Sequence, residues 1–343
     1  MSGGVNIQRV DPPAAIPGGE IAIDITGARP VSVGPPKIFI DNLEAHVVAG
    51  SSRRVLALLP QLERGGKVSI AVRHDDETVR PSASVLAGQR LAGHVHPVTN
   101  PAFDPADGSL FVTRSGSRGE HVPVSLYRIH PDDRIEEFSG DITNPTSIAF
   151  DGRGQMFITS RFDGTVYRVS PLREFAVFAS DLGIATGLAF NVAGEMFVGD
   201  RSGTIFRINE IGEATAWAEH EPSVSAYHLA FGPDDALYVT GPTVSSFDAI
   251  TRFDRLGTPS VFYRGLGRPQ GLAFDREGNL YVAASLHGRR GIVRITPDGA
   301  SAKLVVAGMN VVGLAFSPGG DMVVATNDYV YSLPMDIRGI LLD

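Results

Sequence analysis

The sequence predicts an all-β fold with two parts, an N-terminal immunoglobulin-like sandwich over residues 1–79 and a six-bladed β-propeller over residues 80–343. First, a short apolar motif ending in Phe recurs six times in the second part. Second, the 39 glycines and 23 prolines gather largely at turns between short apolar runs, which favours many strands over long helices. Third, the first part lacks the motif but alternates short apolar runs with turn residues.

The N-terminal part is predicted to form about seven short strands. Its apolar runs include Ile21–Ile25, Ile38–Ile40 and Val68–Val72. The stretch from Pro12-Pro13 through Gly18-Gly19-Glu20-Ile21, and later Gly65-Gly66-Lys67-Val68, resembles the IPT/TIG immunoglobulin-like family. In bacterial proteins that resemblance implies a structural or adhesive spacer.

The repeated motif has a nearly constant period. Its Phe residues are separated by 47, 40, 41, 43 and 42 residues, which is the length of a four-stranded propeller blade. The copies are Pro101–Phe103, Ile148–Phe150, Leu188–Phe190, Leu229–Phe231, Leu272–Phe274 and Leu314–Phe316. The constant period argues against a long sandwich, and the lack of a 3.6-residue period argues against a helical solenoid.

The second copy illustrates the four strands of one blade. Ser147–Phe150 is the predicted inner strand, Gln155–Thr159 the second, Thr165–Val169 the third and Glu174–Ala179 the outer strand. Because glycines supply positive φ, Asp151–Gly154 reads as the first turn. No such unit can bury both of its faces alone, so neighbouring units are expected to stack around an axis.

Ring closure is predicted to use a strand that precedes the first copy. Only five outer strands lie between the copies, and Ser84–Ala87 precedes the first copy as Leu304–Ala307 precedes the last. We expect Ser84–Ala87 to pair with the last blade, which removes an exposed edge. Deleting residues 1–78 should then leave a folded propeller, whereas deleting residues 1–90 should not.

The repeats resemble the NHL and gluconolactonase (regucalcin)-like propellers, most closely in Arg268–Asp275 and Gly278–Ala283. In the lactonases this resemblance implies a divalent metal at the channel mouth, held by a Glu, an Asn and an Asp. Those positions correspond here to Thr99, Thr186 and Gln270. The three other equivalent positions are Thr146, Tyr227 and Val312, so the ring contains no carboxylate.

This neutral ring favours a ligand- or protein-binding propeller that has no cofactor. The expected ligand is a small polar or anionic molecule, or a protein segment, at the channel mouth. The binding residues predicted there are Thr99, Thr146, Thr186, Tyr227, His228 and Gln270. The alternative is a sugar-lactone or related ester hydrolase with remodelled metal ligands, which would need a divalent cation such as calcium.

Three arginines follow the second strands of the first three blades, and they are predicted to form an anion-binding patch. They are Arg114, Arg161 and Arg201. Guanidinium groups match carboxylate and phosphate geometry, so the patch would prefer an anionic ligand. The alternative is that these side chains pair with Glu120, Asp163 or Asp200 on a solvated rim.

Three histidines form a second candidate group. His94 and His96 are two residues apart on an extended segment, so both point the same way and suit a transition metal. His228 would add a third ligand or act as a general base. The alternative is that all three are ordinary polar residues.

Composition limits the partners and the location. The net charge of −8 argues against nucleic-acid binding, and no apolar run is long enough to span a membrane. The chain has no cysteine, which excludes disulfides and thiolate chemistry. The N-terminus has neither a basic start nor an apolar core, so the sequence as written predicts a cytoplasmic protein, exported only if a signal peptide has been trimmed.

Overall fold

The structure is a computed structural model that describes residues 6–27, 36–74, 77–78, 83–138, 142–244 and 247–340. Within these ranges the regular elements are all strands, and no helix is present. The prediction of an all-β chain is therefore confirmed.

Of the eleven described strands that precede the first motif copy, ten come before Gly88. They are β1 Asn6–Asp11, β2 Ala14–Ala15, β3 Glu20–Thr26, β4 Lys37–Ile40, β5 Leu43–Ala45, β6 Val47–Gly50, β7 Arg54–Leu58, β8 Gly66–His74, β9 Glu77–Thr78 and β10 Ala83–Ala87. One sheet has the order β1-β3-β7-β6, and β10-β8-β4-β5 form the end of another. A single apolar core joins them, with Ile23 and Val55 from the first sheet and Ile38, Ile70 and Val85 from the second.

The remaining strands are β11, which precedes the first motif copy, and the strands that belong to the six copies. They are β11 Gln89–Gly93, β12 Ala102–Phe103, β13 Leu110–Thr113, β14 Leu126–Ile129, β15 Ile135–Glu137, β16 Pro145–Phe150, β17 Met156–Ser160, β18 Thr165–Val169, β19 Phe175–Ala179, β20 Ala185–Phe190, β21 Met196–Asp200, β22 Thr204–Ile208, β23 Ala214–Glu219, β24 His228–Phe231, β25 Leu237–Thr240, β26 Asp248–Phe253, β27 Pro259–Gly267, β28 Leu272–Phe274, β29 Leu280–Leu286, β30 Arg289–Ile295, β31 Ala302–Ala307, β32 Val311–Phe316, β33 Met322–Thr326 and β34 Tyr329–Leu333.

Each motif copy begins a group of antiparallel strands, and we number the groups repeat one to repeat six. Repeats one, two and three are separate four-stranded sheets, β12–β15, β16–β19 and β20–β23. Repeat four is β24–β27, repeat five is β28–β31, and repeat six is β32–β34 together with β11. The end of β27 pairs with β29, where Leu266 lies opposite Leu286, and this pairing merges repeats four and five into one larger sheet.

Neighbouring repeats pack face to face through apolar side chains. Between repeats one and two, Phe111 and Leu126 pack with Ile148 and Ile158. Every residue of β17 is buried, which is typical of a strand covered on both faces. The observed strands of repeat two agree with the predicted ones to within two residues.

The strand that completes repeat six lies later than predicted. Residues Ala83–Ala87 pair with Gly66–Ile70 and with Ala14–Ala15, not with the last repeat. Gln89–Gly93 pairs instead with β34. Counted back from the motif Phe, Gln89–Gly93 lies 10–14 residues before Phe103, close to the 9–12 residues between Leu304–Ala307 and Phe316. The predicted segment Ser84–Ala87 lies 16–19 residues before Phe103, and it belongs to the N-terminal core, to which it contributes Val85 and Ala87.

The segment Ala14–Ala15 joins the two parts of the chain. It lies parallel to β31 on one side and to β10 on the other, with Ala14 opposite Val306 and Leu86. The N-terminal sheet therefore continues into the outer strand of repeat five. The proposed boundary at residue 79 stays a prediction, since neither this pairing nor any other observation tests it.

Candidate functional site

The antiparallel order of each repeat defines two ends. The loops that precede the inner strands and those that join second to third strands share one end, which we call the upper face. The turns that join first to second and third to fourth strands share the other, which we call the lower face. Both predicted sites, the neutral ring and the arginine patch, belong to the upper face.

The hydroxyl members of the neutral ring are buried, and each donates a hydrogen bond within the protein. Thr99, Thr146, Thr186 and Tyr227 are all at most 2% exposed. Thr99 Oγ1 donates to the carbonyl oxygen of Thr146 at 2.7 Å, and Thr186 Oγ1 donates to that of Gly199 at 3.2 Å. Thr146 Oγ1 donates at 3.4 Å to the carbonyl oxygen of Asn144, and the Tyr227 hydroxyl donates to that of Glu221. Their role in ligand binding stays a prediction.

The same ring positions also connect neighbouring repeats. Thr113 Oγ1 donates to the carbonyl oxygen of Thr146 at 2.9 Å, and Thr159 Oγ1 donates to that of Thr186 at 3.1 Å. The Gln270 carbonyl oxygen accepts from Thr240 Oγ1 at 2.6 Å. A threonine at the end of a second strand thus binds the start of the next inner strand. Of the predicted binding residues, Gln270 alone keeps a partly exposed side chain.

Asn100, which sequence reasoning missed, connects three repeats. Its Nδ2 donates to the carbonyl oxygen of Leu272 at 2.8 Å, and its Oδ1 accepts from the backbone N of Leu314 at 3.0 Å. A Cβ on Gly271 would lie 2.0 Å from Asn100 Oδ1, and one on Gly313 would lie 2.6 Å from the Asn100 backbone N. The glycine before Leu-Ala-Phe in repeats five and six was the available signal for this close approach.

The three histidines do not form one group. His94 and His96 both approach Asp328, with Nδ1 atoms 3.7 and 3.5 Å from its Oδ1. Their φ angles of 60° and 45° are left-handed, so the prediction of an extended segment is wrong at these two residues. His228 is 3% exposed, and burial lowers its pKa from 6.5 to about 4. Its Nε2 is buried without a hydrogen-bond partner in the described structure. Histidine 228 is therefore neutral near pH 7.

The predicted arginines divide into two environments. Arg114 Nη1 donates to the Tyr127 hydroxyl at 3.2 Å. Arg161 is partly buried, and its Nη2 donates to the carbonyl oxygen of Gly116 at 2.8 Å. Burial lowers the pKa of Arg161, and the charges of Arg201 and then Arg118 lower it further. Arg161 thus stands among two other cations.

Arg118 was missed because it lies in the long loop between β13 and β14. The fully buried side chain of Asn144 holds this loop: its Oδ1 accepts from the backbone N of Gly119 at 2.7 Å, and its Nδ2 donates to the carbonyl oxygens of Gly116 and Ser117 at 3.1 and 2.9 Å. The loop is thereby fixed beside Arg161. We call Arg118, Arg161 and Arg201 the arginine cluster.

The acids suggested as partners of these arginines have other hydrogen bonds. Asp163 accepts from the Tyr167 hydroxyl at 2.6 Å, Asp200 from the backbone N of Ile184 at 2.9 Å, and Glu120 from the backbone N of Ser117 at 2.7 Å. Over the residues described, the arginine cluster makes no ion pair with a carboxylate. Guanidinium groups whose charges act on one another and that form no ion pair favour an anionic ligand.

The ring positions do not fit a divalent cation. Hard cations need several oxygen ligands with carboxylate charge, and the ring hydroxyls already donate to backbone carbonyls. Across the part of the chain that the structure describes, no three His, Cys, Asp or Glu side chains gather as a metal site.

No helix there is long and apolar enough to cross a membrane.

Comparison with known proteins gives structural relatives only. No family model matches the sequence, and no curated protein matches it. An auxiliary nutrient binding protein from Bacteroides thetaiotaomicron is 13% identical, with a TM-score of 0.57 over 96% of this chain and 97% of its own. The calcium-binding protein regucalcin from Agrobacterium tumefaciens is 17% identical, with a TM-score of 0.58 over 74% of this chain and 96% of its own.

A gluconolactonase from Xanthomonas campestris is 16% identical, with a TM-score of 0.57 over 72% of this chain and 90% of its own. At these identities the similarities establish the fold alone. The predicted propeller fold, with gluconolactonase- and regucalcin-like relatives, is confirmed.

Proposed function

We propose that this chain is a ligand-binding propeller that takes a small anion on its upper face. The observation that supports this most directly is the arginine cluster. The charges of Arg201 and Arg118 act on a partly buried Arg161, and none of the three forms an ion pair within the described residues. Low-dielectric walls strengthen such a field. The Bacteroides relative is described as a nutrient binding protein, which agrees with a binding role.

We also propose six blades closed by Gln89–Gly93, with residues 1–79 forming an immunoglobulin-like domain. Supporting the closure, Ala92 and Val330 of repeat six share a core with Leu110 and Val112 of repeat one. Supporting the second point, two sheets enclose the N-terminal core. A cytoplasmic location and a protein segment as an alternative ligand remain part of this proposal.

The test is direct binding of inorganic phosphate and gluconate, measured by titration calorimetry at low and high salt. Wild type should bind at least one of them, and affinity should fall as salt rises. The double variant Arg161→Gln, Arg201→Gln should bind it about tenfold more weakly or worse, since each lost charge-assisted hydrogen bond is worth about 1.5–3 kcal/mol.

The matched control is Arg264→Gln with Arg276→Gln, which removes the same charge from two exposed arginines of repeats four and five. It should bind as wild type does. Equal affinity in the cluster variant and wild type would contradict the proposal. Hydrolysis of gluconolactone that requires added calcium would favour the lactonase alternative instead.

A further inference from the structure

Five of the six repeats carry an arginine at the same place in the third strand. These residues are Arg128, Arg168, Arg207, Arg252 and Arg294. Each lies opposite an aromatic residue of the second strand, as Arg168 lies opposite Phe157 and Arg207 opposite Phe197. The shared register brings all five guanidinium groups toward the lower face.

In four repeats, a side chain of the turn between the first and second strands neutralises or binds this arginine. Arg128 Nη2 lies 2.5 Å from Asp107 Oδ2, and Arg252 Nε lies 2.8 Å from Asp234 Oδ2. Arg207 pairs with Glu195 in the same way. In repeat five, Arg294 Nη2 donates to Asn279 Oδ1 at 2.8 Å. Repeat six has Ser332 at this position, and its Oγ donates to Asp321.

Repeat two departs from this pattern. Its turn carries Gln155 where repeat three has Glu195, and the Gln155 amide donates to the carbonyl oxygens of Met156 and Val169. Asp151 of the same turn has its Oδ1 occupied by the backbone N–H groups of Arg153 and Gln155. Among the residues described, Arg168 has no carboxylate within ion-pair distance, and its guanidinium lies 6.0 Å from the centre of the Phe178 ring.

Arg168 lines a groove on the lower face. This lower groove has a volume of about 1410 Å³ and runs along both sides of repeat two, from Asp104 in repeat one to Trp217 in repeat three. It is larger than the roughly 300–1,000 Å³ of common small-molecule sites. Its walls include Phe138 and Phe178, and Arg153 adds an exposed cation at the repeat-two turn.

We propose that the lower groove is a second binding site, for an organic anion that has a flat apolar body. Arg168 would bind the carboxylate through its two-pronged guanidinium, and the apolar body would lie against the aromatic wall formed by Phe178. Although the groove lining holds both acidic and basic side chains, the local charge at Arg168 favours an anion, because Arg128 and Arg207 on either side are already paired whereas Arg168 is not. The site lies at the end of the molecule opposite to the arginine cluster.

The experiment titrates 2-naphthoate and its uncharged analogue 2-naphthamide into the intact chain, with calorimetric detection. Wild type should bind the naphthoate at least about tenfold more tightly than the amide. Arg168→Gln should lose this preference. Gln155→Glu should lose it as well, because it restores at repeat two the carboxylate that repeat three offers to Arg207.

Two further variants separate this site from the proposed upper-face site. Arg161→Gln with Arg201→Gln should keep the naphthoate preference, and so should Arg264→Gln. Thermal unfolding of each variant verifies that it is folded. The proposal is overturned if wild type does not distinguish the acid from the amide, or if both Arg168→Gln and Gln155→Glu retain the preference while folded.

Discussion

At the scale of single residues, burial decides the chemistry of His228. Its sequence position, directly before an apolar inner strand, suits either a metal ligand or a general base. In the folded chain the imidazole is fully enclosed, and its pKa falls to about 4 because the charged form loses its hydration. The same lowering, to about 4, affects the more accessible His220. Neutral buried histidines bind protons more readily after unfolding.

We therefore predict that stability falls as the pH decreases from about 6.5 toward 4. In this window the unfolded chain, with an ordinary histidine pKa, binds more protons than the folded chain, so acid favours unfolding. Protonation of His228 on unfolding should by itself lower the free energy of unfolding by about 2 kcal/mol between about pH 7 and pH 5. Urea unfolding at the two pH values measures this loss.

His228→Gln should reduce the pH-dependent loss by about the same amount, while His220 continues to contribute. The exposed substitution Val244→Ala, which changes no titratable group, is the control and should leave the loss unchanged. A loss of equal size in wild type and His228→Gln would show that another group is responsible.

At the scale of strands, two consecutive strands on either side of Gly88 pair with different parts of the molecule. Gly88 separates Ala83–Ala87 from Gln89–Gly93, and a Cβ there would lie 2.8 Å from Ile16 Cγ2 and 3.2 Å from Tyr331 Cβ. The missing side chain lets the backbone pass between the N-terminal part and repeat six. One strand completes the N-terminal sheet, and the next completes the last repeat.

A disulfide tests this register, because the chain has no cysteine of its own. Gln89 lies opposite Ser332, so Gln89→Cys with Ser332→Cys should oxidise to a cross-link. The bond should raise stability by about 2–4 kcal/mol, since it closes a long loop. A mobility shift in non-reducing gels and urea unfolding give the two readouts.

The control pair, Ser84→Cys with Ser332→Cys, places one cysteine in the closing strand that the sequence predicted. It should stay reduced, because Ser84 lies opposite Ser69. Cross-linking of this pair in preference to the first would show that Ser84–Ala87, not Gln89–Gly93, is the closing strand.

At the scale of the whole molecule, the N-terminal part packs against the outer strand of repeat five. Ile16 is buried among Val306 and Tyr331, although it precedes most of the N-terminal strands. Arg289 reaches back to Asp11, with its Nη1 at 2.6 Å from Asp11 Oδ2. Because of these contacts, we expect deletion of residues 1–78 to lower the stability of the propeller. The sequence alone predicts that this deletion is tolerated.

We predict that the two parts unfold together. Trp217, the single tryptophan of the chain, lies in repeat three and reports on the propeller. Ile16→Ala should shift its urea transition by an amount equivalent to about 2–5 kcal/mol, because it leaves a cavity between the parts. Ile25→Ala, within the N-terminal core, should shift the same transition.

The exposed substitution Val244→Ala is the control and should leave the Trp217 transition in place. Circular dichroism should follow the same curve as fluorescence in every variant. An unchanged Trp217 transition in Ile25→Ala, with an earlier dichroism transition, would show two independent units.

The sequence by itself determined the all-β class, the six-fold motif and the strands of repeat two, because alternation and turn glycines are local signals; it did not identify the strand that completes repeat six. It also identified Arg161 and Arg201, since both follow a second strand at a regular place. Tertiary structure alone decided the burial of the threonine ring, the approach of Arg118 through Asn144, and the isolation of Arg168. These depend on contacts between residues far apart in the chain, where a single glutamine in place of a glutamate changes which charge is left unpaired.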